Sequence, residues 1–169
     1  FYGLEQERAD KKRYPAVNPI DSYSKYLEYP EFAEYISKKI NDSWIPKVLD
    51  LKTRMQRGKE IAEQINILGD DGVPVDYHVV FWKSEIIDFV ILQQDAFDEV
   101  DAVTSLERQE DILNLVTEIC EKDFKFKDFL ECVDFFRKLI NLCKQMNYSV
   151  YKSEQYNEFV SQIKEMINI

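Results

Sequence analysis

The chain has 169 residues, of which 45% are hydrophobic and 32% charged, and its net charge is −10. This length fits one domain with a substantial hydrophobic core. The negative charge argues against a nucleic-acid partner, because phosphate binding needs clustered Lys and Arg, and the single basic run at residues 11–13 is too short. With only 4 Gly and 5 Pro, the composition predicts an all-α fold, a compact multi-helix bundle.

The first 22 residues, here called the strap, are predicted to be irregular, with a short helical turn within residues 3–10. Two X-Pro steps, at Pro15 and Pro19, push Tyr14 and Asn18 out of the α region. Tyr14 is therefore presented from a stiff loop, and a rigidly held aromatic face suits stacking on a purine ring. The alternative is a tyrosine that packs against the surface of the domain.

Three helices are predicted between the strap and residue 69: from Pro30 to about 41, from 42 or 43 to about 57–58, and from 59 to 68. Pro30 and Pro46 each stand in a first helical turn, where proline is favoured. Gly58 is predicted to end the second helix and Gly69 the third.

Residues 69–76 (GDDGVPVD) form the clearest internal loop, because two Gly and one Pro cannot continue a helix. They lack the alternating ligands and closing Glu of an EF-hand. A helix is predicted from Asp76 to about Leu92. His78 near its start has no Cys or His at ligand spacing, which indicates a structural or exposed histidine rather than a metal ligand.

Residues 92–97 (LQQDAF) place an aromatic residue just after this helix, and residues 93–97 are called the aromatic loop below. An adenine slot needs two apolar plates and a small residue that permits close approach. Tyr14, Phe97 and Ala96 could supply these if the strap and the aromatic loop meet. The alternative is that Phe97 anchors the core between helices.

Three further helices are predicted: to residue 120 after a capping box at 104–107, at about 126–146, and at about 153–168. Cys120, Cys132 and Cys143 lie 11 to 12 residues apart, a spacing that fits neither a zinc site nor a disulfide framework. Two of them fall on apolar helix positions and are expected to be buried thiols of a reducing compartment. No stretch of 18 residues lacks a charge, so direct membrane insertion is not expected.

Motifs for catalysis are missing from the sequence. The phosphate-binding pattern G-x-x-x-x-G-K-[ST] does not occur, and one histidine cannot supply a Ser-His-Asp or Cys-His arrangement with an orienting group. We therefore assign no catalytic residue and no metal ligand.

Three segments occur in the same order in one known family. Residues 14–26 (YPAVNPIDSYSKY) resemble the loop that carries the adenine-stacking aromatic residue in the catalytic subunits of rotary ATPases. Residues 69–71 (GDD) resemble the LG-D-(D/E) loop of those subunits, and residues 92–101 (LQQDAFDEVD) resemble LQQNAFHEVD of the V/A-type A subunit. The resemblance covers essentially the whole chain and fits that A subunit better than the F-type beta subunit.

The resemblance implies a division into residues 1–22, the adenine-contacting strap of a nucleotide-binding domain, and residues 23–169, a C-terminal helical domain. Tyr14 then corresponds to the stacking residue, and Ala96 and Phe97 to the opposite wall of the adenine pocket. The internal loop corresponds to the segment that touches the rotating central axle, through residues Asp70, Asp71, Gly72, Val73 and Pro74. Shape and backbone, rather than charge, are expected to make that contact.

The resemblance also implies the setting. The parent subunit binds ATP or ADP with Mg, couples ATP hydrolysis or synthesis to proton or sodium transport, and contacts the B subunits of a hexameric head and the subunits of the axle. It is cytoplasmic and peripheral to the membrane. Because the chain starts at Phe1 inside a matching motif, we expect a fragment that binds no cofactor and hydrolyses no ATP by itself.

Two alternatives stay open at this point. The chain could be a free-standing helical adaptor that binds a partner helix in an apolar groove. It could also be a small nucleotide sensor that uses Tyr14 alone, although nothing in the sequence cradles the phosphates.

Overall fold

A computed structural model of the protein describes residues 1–168. Its seven α-helices are α1 (Gln6–Asp10), α2 (Pro30–Lys39), α3 (Trp44–Leu68), α4 (Val75–Ile87), α5 (Leu106–Glu121), α6 (Phe129–Asn147) and α7 (Glu154–Ile167). Short 3-10 turns span Lys25–Glu28 and Asp70–Gly72, and a π turn spans Asp88–Leu92. Within the described residues the extended pairing is limited to one bridge between Leu4 and Val17. The predicted all-α fold is confirmed.

Helix α4 is the centre of the bundle and packs against both α3 and α6. Its sequence, VDYHVVFWKSEII, is apolar around most of its circumference, as expected for a helix enclosed by others. Trp82 of α4 stacks on Phe136 of α6 with ring centroids 6.4 Å apart. Side chains with no exposed surface include Ile86, Val116, Ile119, Cys132, Phe136, Leu139, Cys143, Met146 and Ile163.

The predicted break at Gly58 is wrong, because α3 runs unbroken from Trp44 to Leu68. Gly58 lies where α3 meets α4, and a Cβ atom built on it would come closer than 3.0 Å to the Ser84 side chain. The glycine therefore permits close helix packing instead of ending a helix. Gly69 does end α3, with φ at +76°, as the sequence predicts.

Other helix ends differ from the predictions by one to a few residues. The N-cap of α5 is Ser105, whose hydroxyl accepts a hydrogen bond from the Arg108 N–H at 3.3 Å, so the predicted box starting at Thr104 is wrong by one residue. Helix α6 begins at Phe129 because Asp128 caps it, accepting from the Glu131 N–H at 2.9 Å.

The three cysteines are all buried and free. Burial raises the pKa of Cys120 to about 11 and those of Cys132 and Cys143 to about 12. These thiols are therefore protonated at neutral pH and serve as packing residues.

His78 is buried, which fits the predicted structural role and not the exposed one. Its Nε2 lies 3.0 Å from the Asp70 carbonyl oxygen, and its ring centroid lies 5.4 Å from that of Phe129. Within residues 1–168 no group of three His, Cys, Asp or Glu side chains could hold a metal ion. None of the helices in that range is long and apolar enough to span a bilayer.

The close approach of α3 and α4 predicts an unusual response to Gly58→Ala. Alanine is favoured over glycine in a helix interior by about 1 kcal/mol, yet here the added methyl group overlaps Ser84. We expect a loss of about 1–3 kcal/mol in the free energy of unfolding, as for other overpacked sites, measured by urea denaturation.

The matched control is the double variant Gly58→Ala with Ser84→Gly, which leaves the Ser84 Cα 3.7 Å from the new Cβ. This variant should be more stable than Gly58→Ala alone. A single variant as stable as the wild type would contradict the close approach.

Candidate functional site

The strap folds back on itself instead of running free across the surface. Leu4 and Val17 form the isolated antiparallel bridge. Asn18, which is buried, accepts hydrogen bonds through its Oδ1 from the N–H groups of Ile20 and Asp21, at 2.9 and 3.0 Å. The side chain of Asn18 thus fixes the turn at the second proline.

Four charged side chains join the strap to the end of α4. Asp88, with 4% of its side chain exposed, lies 2.7 Å from Arg8 (Nη1 to Oδ1) and 2.5 Å from Arg13 (Nη1 to Oδ2). Arg13 Nη2 also donates to Glu85 Oε2 at 2.5 Å. The Arg8 pair has poor hydrogen-bond geometry and leaves Arg8 Nε without a partner. We call these four residues the charge cluster.

Arg13 is held further by the ring of Phe89. The Arg13 Cζ lies 4.5 Å from the ring centroid, and Lys144 Nζ lies 4.2 Å from it. Burial tends to lower the pKa of Arg13, but its bonds and attraction to Glu85 and then Asp88 raise it overall. Burial, and then the positive charge of Arg13, lower the pKa of Lys144. The two cations therefore share one partly buried place at the Phe89 ring, where only Arg13 has carboxylate partners that raise its pKa.

Tyr14 lies beside the aromatic loop, as the adenine-slot hypothesis requires. Its carbonyl oxygen accepts a hydrogen bond from the Gln94 N–H at 3.0 Å. The Tyr14 side chain is 55% exposed, so it is not part of the core. The strap and the aromatic loop therefore meet through their backbones and leave the tyrosine ring open to solvent.

Phe97 is 99% exposed, so the alternative in which it anchors the core is wrong. Ala96 beside it is also exposed. Asp95 accepts from the Phe97 N–H at 2.9 Å, and Asp101 accepts from the Asp95 N–H at 2.6 Å. An asparagine at position 95 could make the first bond equally well. Carboxylates thus hold the aromatic loop while its phenylalanine faces outward.

The internal loop lies at the opposite end of α4 from the aromatic loop. Asp70, Asp71, Gly72 and Pro74 are exposed, but the side chain of Val73 is buried. An axle contact at Val73 would therefore involve its backbone rather than its side chain, and the contact by all five residues stays a prediction.

Several residues of the site were missed by sequence reasoning. No role was assigned to Arg8, Glu85 or Asp88. A signal was present, because two acidic residues spaced three positions apart lie on the same face of a helix. On an apolar helix, such carboxylates need positively charged partners if they are buried. Tyr148 was also missed. Burial, and then the negative charges of Asp95, Asp101 and Asp98, raise the pKa of Tyr148. It adds a further tyrosine next to the aromatic loop.

Comparison with known proteins gives a consistent result. No protein-family model matches the chain. The V-type ATP synthase alpha chain of Borrelia duttonii is 36% identical over 170 residues, which cover 99% of this chain and 27% of the relative. The chain is a homologue of V-type ATP synthase alpha chains. The alpha chain of Protochlamydia amoebophila is 33% identical over 167 residues, covering 99% of this chain and 28% of the relative.

This alpha-chain homologue spans about a quarter of the length of the curated relatives it matches. A third relative, the alpha chain of Borreliella burgdorferi (strain B31), is 32% identical over 168 residues and covers the same share. The resemblance to the A subunit of V/A-type ATP synthases is thereby confirmed. The division at residue 22 and the roles of individual residues stay predictions.

The charge cluster predicts a large effect for Asp88→Asn. The change removes the carboxylate that two nearly buried arginines share, and breaking a buried ion pair costs about 3–5 kcal/mol. We expect a loss of this size in the free energy of unfolding, with faster tryptic cleavage after Arg13.

The control is Glu7→Gln, which breaks the exposed pair with Lys11 on the same segment. An exposed pair contributes at most about 1 kcal/mol, and Arg13 should stay resistant to trypsin. Equal effects of the two variants would show that the cluster does not hold the strap.

Proposed function

We propose that this chain is the C-terminal part of the catalytic A subunit (alpha chain) of a V/A-type ATP synthase or ATPase. In this role it completes the adenine pocket and couples closure over the nucleotide to rotation of the central axle. The observation that carries the proposal is the hydrogen bond from Gln94 N–H to the Tyr14 carbonyl, because it joins two segments far apart in sequence whose aromatic rings are both exposed.

The exposed rings suit a base that lies against the surface. Tyr14 and Phe97 offer flat apolar faces, and Ala96 leaves room for close approach. Base stacking on an aromatic side chain contributes about 1–3 kcal/mol by alanine substitution. These residues would orient adenine, while the phosphates and Mg would be held by a phosphate-binding domain of the parent subunit.

The two candidate contact regions lie at opposite ends of one buried helix. Helix α4 has 13 residues and so separates the internal loop from the charge cluster by about 20 Å, at 1.5 Å per residue. It packs against α3 and α6, and packed helices move as a body. A displacement at the adenine contact would therefore be transmitted to the exposed residues Asp70, Asp71, Gly72 and Pro74, which we propose touch the axle.

The setting follows from the relatives, which are V-type ATP synthase alpha chains. We propose that the parent subunit binds ATP or ADP with Mg, contacts B subunits and axle subunits, and works in the cytoplasm at the membrane periphery. Homology over 99% of the chain favours this function over a free-standing adaptor or a separate nucleotide sensor.

The test is a chimera in which this chain replaces the matching quarter of the Borrelia duttonii alpha chain in its assembled complex. Tyr14→Ala should raise the KM for ATP by roughly 5- to 150-fold, because stacking contributes about 1–3 kcal/mol, with a smaller change in kcat. Phe97→Ala should act in the same direction. The isolated chain should give no turnover in the same assay.

Tyr26→Ala serves as the matched control, because Tyr26 is similarly exposed, at 66%, and lies outside the proposed pocket. It should leave KM unchanged. A Tyr14→Ala chimera with the KM of the parent chimera would exclude Tyr14 from adenine binding.

A further inference from the structure

Lys144, in the last turn of α6, is a charged neighbour of the strap with no assigned role. Its Nζ lies 4.2 Å from the centroid of the Phe89 ring, and the Arg13 Cζ lies 4.5 Å from the same centroid. Since both distances start from one point, the two cations lie no more than about 9 Å apart, within the ~10 Å over which 0.1 M salt screens charges. They therefore repel one another while they share one aromatic ring.

The charges of the cluster balance without Lys144. The two arginines of the cluster are matched by its two carboxylates, so the four side chains together carry no net charge when all are ionised. Lys144 is half-buried and has no carboxylate partner among residues 1–168. It therefore adds one unbalanced positive charge beside Arg13.

The titration of Lys144 reflects this environment. Burial lowers its pKa first, and the positive charge of Arg13 lowers it further, so the folded structure disfavours the charged form. Coupling between two sites is reciprocal. If the docked Arg13 disfavours the charge on Lys144, that charge disfavours the docking of Arg13 by the same free energy. Arg13 directly precedes Tyr14, whose carbonyl accepts from the Gln94 N–H, so the effect should reach this contact.

A plainer role for Lys144 is to stabilise the end of α6. A positive side chain in the last turn interacts favourably with the helix dipole, and the ring of Phe89 attracts its ammonium group. In that role, removing the charge would loosen the end of α6 and the π turn, which Asn147 binds through the Val90 carbonyl at 2.9 Å. The two roles predict changes of opposite sign at the contact between the strap and the aromatic loop.

We propose that Lys144 is a positioning residue whose charge weakens the attachment of the strap, so that Tyr14 is held less firmly than the charge cluster alone would hold it. The partial burial of both cations favours this role, because it limits the screening that makes repulsion between exposed charges small. A weaker attachment would let Tyr14 withdraw when nucleotide leaves. That consequence rests on the proposed function, whereas the effect on the strap does not.

The test is amide hydrogen exchange of the 169-residue chain carrying Lys144→Met, which keeps the length of the side chain and removes its charge. We expect the Gln94 amide to exchange roughly 2- to 10-fold more slowly than in the wild type, as for the relief of one partly screened like-charge contact. Lys144→Arg keeps the charge and should exchange near the wild-type rate. Lys138→Met, the same change at an exposed position of α6, should leave the Gln94 rate unchanged.

Salt gives a second readout that a packing role would not move. The difference between Lys144→Met and the wild type should shrink as salt rises from about 0.05 M to about 0.5 M, because ions screen the repulsion. Faster exchange at Gln94 with loss of protection in α6 would support the helix-end role and overturn the proposal. An unchanged rate, or equal slowing in Lys138→Met, would also overturn it.

These measurements are made without nucleotide and are independent of the chimera. Failure here would leave the proposed adenine contact standing, and a normal KM in the Tyr14→Ala chimera would leave the effect of Lys144 on the strap standing.

Discussion

Burial of Asp88 between two arginines of the strap is the constraint on which the rest of the site depends. Arg8 and Arg13 leave water only because Asp88 and Glu85 meet them on the end of α4. The desolvation cost of such charges offsets much of their attraction. The charge cluster therefore fixes the position of the strap more than it raises the free energy of unfolding. A strap held this way cannot slide, since any shift would strand a nearly buried charge. Its position in turn sets the place of Tyr14.

The same residue begins the change in backbone that produces the aromatic loop. At Asp88 the helix widens into the π turn, and the Asp88 carbonyl accepts from the Gln93 N–H at 2.8 Å. The Val90 carbonyl within this turn is bound by Asn147 of α6. Strap, π turn and loop are therefore one connected unit, fixed to the helix whose other end carries the internal loop. Wide turns of this type often occur at functional sites, which agrees with the proposed coupling between the adenine contact and the axle contact.

The parts of this arrangement that depend on local chemistry were predictable from the sequence. The helix start at Pro30, the stop at Gly69 and the outward presentation of Tyr14 follow from single residues and their neighbours. The role of Gly58 was not predictable, because its clearance is set by Ser84 on another helix. The charge cluster was not predictable for the same reason. Its residues on the strap and on α4 are more than 70 positions apart, and the sequence of neither segment indicates that the two make contact.

Hydrogen exchange of the Gln94 backbone amide tests the central claim most directly. In this structure that N–H donates to the Tyr14 carbonyl, so the contact exists only if the charge cluster holds the strap in place. We predict that the Gln94 amide exchanges at least about a hundredfold more slowly than in an unstructured peptide, as expected for a stable hydrogen bond. Exchange at the unstructured rate, while the amides of α4 stay protected, would contradict the account.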